Sequence, residues 1–411
     1  MTAAHHLTWR CRWSFAALLA GLATLGPFSI DAYLPAFAGI QASLDATPLQ
    51  IQQTMSAYLL AFGVMFLFHG ALSDSFGRRP VILVALVVYT IASAGAALAG
   101  SVHALIVWRV VQGLSVGAGM VVGRAMIRDL FAAEDAQRLM SMVTLFFGLA
   151  PAVAPIIGGW LFVGLGWRSI FWFLAAVGFL LVAVGWRFLP ETLKPDHRQS
   201  FHPMALMAGY REVGANPQFL LLSLAVGFNF NAFFLYILSS PVFLGEHLAL
   251  GPQQYGWLFI PCIVGIMAGS QVSGRAAGRW TPNRTVRYAY VFMAGAALVN
   301  LAYALAVKPS IPWAILPIMF YGVGFAMAMP SIALITLDLF PTRRGTAASL
   351  QGFVSGMVNV LTAGLISPLL WDDPRWLALG MVAMMGTGLA SWWGYLAIAR
   401  RKRPPEPVTE M

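Results

Sequence analysis

Charge is what this sequence has least of. Only 10% of its 411 residues are Asp, Glu, Lys or Arg, while 59% are hydrophobic; a soluble globule carries about 25% charge. A chain of this length cannot hide so much apolar surface from water, so its solvent is a bilayer. Cysteine is nearly absent. Cys11 falls at a span end and Cys262 inside a span, which excludes a disulfide framework. Two-residue polar/apolar alternation is absent as well, which excludes an outer-membrane barrel. No glycine-rich nucleotide loop is present, so no built-in ATPase is expected. The seven histidines are dispersed, and no Ser/His/Asp, zinc-ligand or paired-carboxylate arrangement appears. Neither an enzyme nor a metal or other cofactor is therefore expected.

What the chain has in abundance is apolar runs of about 20 residues, the length needed to cross a bilayer. Twelve are legible, at 13–36, 50–72, 80–99, 103–126, 139–163, 168–189, 217–240, 254–276, 286–307, 311–336, 346–370 and 376–399. The first lacks a cleavage site after a short apolar core and reads as a retained span. A net charge of +10 is compatible with nucleic-acid binding, but with twelve spans 21 of the 25 Lys and Arg fall on one side. That asymmetry is the positive-inside pattern and puts both termini in the cytoplasm. The segment after Pro190 is the longest connection and splits the chain into 1–190, a linker 191–216, and 217–400, with a disordered tail at 401–411. A short amphipathic helix is expected around Pro203–Glu212. His197 and His202 close no ligand set.

The stretch Gly70-Ala-Leu-Ser-Asp74-Ser-Phe-Gly77-Arg78-Arg79-Pro80 concentrates charge in a tight turn between two spans. A later copy, Gly274–Arg279, stands at the corresponding place six spans on, with Arg275 where the first has Asp74, as a duplicated six-span unit predicts. Asp31 lies in the outer third of the first span. It is either an acid in the outer headgroup region or a proton-titrating or cation-binding carboxylate. His69 reads as a solvated interfacial histidine. Arg109 and Gln112, three residues apart, share a helix face. Arg109 cannot shed its charge and requires a counter-charge or polar cavity, unless it snorkels to the outer interface. Small residues from Gly113 to Gly119, and Gly352, Ser355 and Gly356, allow close helix packing. Gly148, Pro151, Pro155, Gly158 and Gly159 form either a simple kink or a packing seam that stays dry while helices pivot. Asn229, Asn231, Phe233, Phe234 and Tyr236 in the seventh span, with Tyr33, Tyr58 and Met327, are candidates to line a cavity.

Together these motifs resemble the major facilitator superfamily. Gly70-x-x-x-Asp74-x-x-Gly77-Arg78-Arg79 is similar to its loop motif between spans two and three, and Arg109-x-x-Gln112-Gly113 to its span-four motif. Gly148 to Gly159 resembles the span-five motif of drug antiporters, though Ala150 stands where a glycine is often found. Asp31-Ala32-Tyr33-Leu34-Pro35, with Arg124 to Asp129, resembles the bicyclomycin/chloramphenicol-resistance branch of multidrug exporters. The resemblance implies an all-α integral membrane protein of twelve transmembrane helices, built as two pseudo-symmetric six-helix bundles around a central cavity. It also implies alternating-access export of drug-like compounds in exchange for protons, from a bacterial inner membrane, by a protein expected to be a monomer. Transport of an endogenous metabolite or siderophore, in either direction, is the alternative. On this reading Asp31, Arg109 and Gln112 couple protons to substrate, Arg109 and Gln112 tuning the carboxylate. Gly70, Asp74, Gly77, Arg78, Arg79 and Asp129 form a cytoplasmic gate, in which Asp74 caps the eleventh span near Gly345 and Arg78 or Arg79 pairs with Asp129. Some relatives carry a second acid two turns earlier in span one; here Gly21-Leu22-Ala23-Thr24 holds none, which leaves Asp31 as the principal titrating group and disfavours dicationic cargo.

Overall fold

A computed structural model describes residues 9–198 and 201–401; the expected tail from residue 402 onward lies outside the described residues. The described chain is helical. Its first half runs α1 (Trp9–Asp31), α2 (Phe37–Leu44), α3 (Pro48–Met65), α4 (His69–Phe76), α5 (Arg78–Ala97), α6 (Val102–Leu130), α7 (Ala133–Leu165) and α8 (Arg168–Phe188). The linker helix α9 (Pro203–Gly214) follows, close to the amphipathic segment expected there. The second half runs α10 (Pro217–Leu238), α11 (Ser240–Val242), α12 (Gly256–Ala276), α13 (Pro282–Ala306), α14 (Leu316–Asp338), α15 (Arg344–Leu361), α16 (Ser367–Leu370) and α17 (Pro374–Arg401). Eleven helical stretches are long and apolar enough to cross a membrane, and α3 with α4, bent by 49°, make the twelfth span.

Local chemistry sets the helix starts. Thr47, Asn216 and Thr281 each stand at an N-cap directly before a proline, and each side chain accepts a hydrogen bond from an amide in the first turn. The cap satisfies an orphan donor and the proline supplies a preset φ at a position that needs no amide. In the second span, residues 66–68 tighten to hydrogen bonds three residues back, which produces the bend. Leu67 then has a carbonyl to spare, and Tyr210 of α9 donates to it at 2.7 Å.

Glycine governs how closely the helices approach. A Cβ at Gly113 of α6 would overlap the Tyr58 carbonyl of α3, and one at Gly119 would lie 2.8 Å from the Leu22 carbonyl of α1. The expected close packing of the fourth span is therefore real backbone contact, the mode of association available where lipid removes the hydrophobic drive. Between the halves, Gly63 of α3 faces Gly356 of α15, and Gln52 donates to the Ala363 carbonyl at 3.1 Å. Large apolar side chains such as Trp160, Phe179, Val291 and Leu369 are exposed, as a lipid-facing surface requires.

The two ends of the molecule differ. On the side bearing the start of α1 and the end of α17, a crevice of about 720 Å³ separates the halves, lined by Phe66, Asp74, Arg124, Arg343, Gly345 and Ser349 among others. On the opposite side the halves meet: α7 packs on the turn Pro252–Gln254 of the second half. The molecule is open on its arginine-rich side and shut on the other.

Candidate functional site

Arg109 is completely buried, which removes the snorkelling alternative. One guanidinium nitrogen, Nη1, donates to the Ser29 carbonyl at 3.1 Å and to Gln112 Oε1 at 2.9 Å. Nη2 reaches Met55 Sδ at 3.7 Å. The guanidinium carbon sits 4.2 Å from the centre of the Tyr58 ring and 4.9 Å from that of Tyr33. The i, i+3 spacing read from the sequence does bring Gln112 to Arg109. Gln112 in turn donates to Ser93 at 2.8 Å, and Ser29 shares a 2.6 Å hydrogen bond with Tyr89. Tyr33 is fixed by a 2.6 Å bond to Thr54. The positive charge is thus held by aromatic faces and neutral acceptors. The expected approach of Arg109 to the Asp31 carboxylate is not seen: no ion pair joins them among the described residues.

Asp31 ends α1. Pro35, locked in φ and lacking an amide, stops the helix from running on through Tyr33, and the chain turns into a short 3-10 segment at Leu34–Ala36. The Asp31 side chain is buried in the protein, at 3% exposure, and is not solvated. It has no hydrogen-bond or ion-pair partner among the described residues. Behind the turn lies the span-five motif. A Cβ at Gly158 would overlap the Ala32 carbonyl, and one at Gly159 would overlap the carbonyl of Pro252 in the other half. Adjacent positions of one helix therefore press on the Asp31 turn and on the shut side of the molecule. Pro151 and Pro155 lie one turn apart within α7, and Gly148 faces open space.

The seventh span divides its candidates by helical face. Asn231 donates to Asn359 of α15 at 2.7 Å and to the Gly227 carbonyl at 2.8 Å, leaving its own Oδ1 buried without a partner. Ser355, one turn before Asn359, also lacks a partner. Phe234 stacks on Phe230, centroids 5.0 Å apart. Asn229, Phe233 and Tyr236, four and three residues apart, turn the other way. Asn229 donates to Tyr290 of α13 at 2.8 Å, Tyr236 accepts from Asn300 at 2.7 Å, and Phe233 lies against Gly322 of α14. These three belong to the interior of their bundle and not to a cavity wall between halves. Met327 faces a separate groove between α13 and α14, with Tyr288 and Phe320.

At the open side, Gly77 has φ +101°, a conformation glycine adopts without a Cβ clash. Arg78 pairs with Asp74 and lies 3.3 Å from Asp129, as expected, and donates to Ser73 at 2.6 Å. Asp74 does not cap α15; it and Gly345 both line the crevice, and nothing lies within 4 Å of the space a Gly345 Cβ would fill. Arg79 donates to the Trp186 carbonyl at 2.6 Å, and Gly70 faces open space. Two contributors were not singled out from sequence. Glu191 accepts from the Arg78 and Arg79 amides at 3.0 and 3.3 Å, capping α5, and Thr192 donates to Asp129 at 2.8 Å. Their signal was an acid directly after the proline that ends the sixth span. His69, expected to be solvated, is buried at 2% exposure because the bend in the second span turns it onto Gly117 of α6.

The family model for the Major Facilitator Superfamily matches residues 18–363. This chain belongs to that superfamily. The transporter is 31% identical over 368 residues to the bicyclomycin resistance protein homolog of Haemophilus influenzae, covering 87% of this chain and 90% of that one. It is 28% identical over 370 residues to a chloramphenicol resistance protein of Pseudomonas aeruginosa, covering 89% and 87%. Its fold matches a bacterial homolog of the human lysosomal transporter Spinster, solved inward-facing and unoccupied, with TM-score 0.70 at 17% identity over 96% of this chain and 98% of that one. The transporter's two six-span bundles, its multi-pass topology and its kinship with drug-resistance proteins are thereby established.

Proposed function

We propose that this transporter exports small, largely apolar drug-like compounds in exchange for protons, with Asp31 as the proton carrier. The observation that carries the reading is the isolation of Asp31: a carboxyl group buried at a helix end with no partner, while Arg109 engages the Ser29 carbonyl and the Tyr33 ring on either side of it. A carboxyl group so placed has no fixed counter-charge to hold it in one protonation state, which a group that takes up and releases a proton requires. Arg109 positions it. By gripping the Ser29 carbonyl and the Tyr33 ring it fixes the backbone on both sides of Asp31, and Gln112 fixes Arg109.

In this cycle the open crevice admits a compound from the cytoplasm, on the arginine-rich side of an inner membrane, and Asp31 gives up its proton there. Rocking then closes the crevice, and Asp74 meets the start of α15. Gly159 parts from Pro252 on the other side, where Asp31 is reloaded and cargo leaves. Asn231 and Ser355 supply unfilled hydrogen-bonding capacity on the second half, and Phe230 and Phe234 supply apolar contact that tolerates varied cargo.

Everted vesicles with an imposed pH gradient test the proposal. Asp31→Asn should abolish gradient-driven accumulation of a phenicol or a dye while Asp31→Glu retains part of it. Equal accumulation by Asp31→Asn and the parent would refute the role of Asp31.

A further inference from the structure

Between the ends of α13 and α17 on the arginine-rich side lies a groove of about 660 Å³ that no step of transport uses. Its lining runs from Asn283 to Ala294 on one helix and from Leu389 to Arg400 on the other. Eleven steps of helix on each wall correspond to about 16 Å at 1.5 Å per residue, close to half of a ~30 Å hydrocarbon core. The groove therefore spans one leaflet. Its wall is apolar, with Val291, Ala294 and Leu389, and its mouth carries Arg287 and Arg400 from opposite helices.

Neither Arg287 nor Arg400 has an acidic partner among the described residues, and neither α13 nor α17 contains an Asp or Glu that could supply one. The matching position in the first half is closed: Arg79 of α5 is tied to α8 by its bond to the Trp186 carbonyl and lies 5.8 Å from the Trp186 ring centre. The second half has left the equivalent seam open and put uncompensated cations at its mouth.

We infer that this groove binds an anionic phospholipid of the arginine-side leaflet, its phosphate held between Arg287 and Arg400 and an acyl chain lying along Val291, Ala294 and Leu389. Two guanidinium forks suit a phosphate, and basic pockets between spans select anionic headgroups. A lipid seated there fills the seam that direct helix contact fills in the first half.

Native mass spectrometry of the purified full-length transporter, titrated with phosphatidylglycerol or phosphatidylcholine of the same acyl chains, tests this. One phosphatidylglycerol should be retained about tenfold more tightly than phosphatidylcholine. The double variant Arg287→Gln/Arg400→Gln should lose that preference, and Ala294→Trp, which fills the groove and spares both arginines, should weaken retention of either lipid. The control Arg275→Gln/Arg279→Gln removes the same charge from the same side and should change nothing. Equal retention of the two lipids by the parent, or an equal loss in the control, would overturn the inference.

Discussion

The two bundles share an architecture and differ in what they bury. Among the described residues, every buried Asp, His or Arg lies in the first half: Asp31, His69, Arg78 and Arg109. The buried polar side chains of the second half that can form comparable contacts are neutral, such as Asn229, Asn231, Asn300, Ser239 and Thr362. The difference separates two tasks. A charge in a membrane interior demands a fixed set of partners and changes its energy steeply when one is removed. Neutral amides tolerate exchange of partners at a cost of about 1 kcal/mol. Under the proposed exchange, the first half registers the proton and the second accommodates varied cargo.

The largest effect should come from Arg109→Lys. The charge survives, but a compact ammonium cannot span Ser29, Gln112 and two tyrosine rings together. Transport in vesicles should fall at least about tenfold with normal expression; parental activity would mean that charge alone suffices and that the arginine's shape is immaterial. Next, Gly159→Ala puts a methyl into the Pro252 carbonyl, an overpacking cost of about 1–3 kcal/mol against the shut state. Thiol labelling of Gln253→Cys in this background should rise, and unchanged labelling would detach α7 from closure of that side.

A third pair splits the seventh span. Asn229→Ala should lower thermal stability, by about 1–2 kcal/mol for a broken buried hydrogen bond, and leave the ranking of exported compounds alone. Asn231→Ala also gives up two buried hydrogen bonds and should lower stability comparably, but it should in addition change that ranking, which a susceptibility panel in an efflux-deficient host would read. The smallest effect calibrates the others. Hydrogen bonds from Arg375 hold the half-buried Asp373 carboxyl below its ordinary range. Stability from that pair is present above the usual carboxylate range and is lost as pH falls through the lowered value. Solvent screening makes it slight, so Arg375→Gln should leave the melting temperature unchanged at neutral pH. A measurable drop there would blur the contrast between buried and exposed charge.

Much of this was legible in the sequence, for physical reasons. Spans follow from apolar length, and starts such as Thr47-Pro48 and Thr281-Pro282 from capping. The Arg109–Gln112 contact follows from helix periodicity. Other features depend on which way a helix is rolled, and residue types do not carry that. Asn229 and Asn231 look equivalent in a string yet stand 200° apart on α10, so one ties its bundle together and the other meets α15. Asp31 and Arg109 look like an ion pair because each lacks a nearby opposite charge in sequence. Aromatic rings and a backbone carbonyl took the place of the acid, and neither leaves a signature that distinguishes it from ordinary core. Glu191 was hidden by its setting in a polar linker, where an acid normally needs no partner.

The neutral cage around Arg109 has an electrical consequence. With Asp31 ionised, the pair sums to zero; with Asp31 protonated, the same site carries one positive charge. Membrane voltage, worth ~2.3 kcal/mol per elementary charge per 100 mV across the whole span, therefore pulls on one form of the bundle and not on the other. A rocking motion that carries the loaded site through a tenth of the field draws ~0.2 kcal/mol from that voltage, with no residue added to sense it.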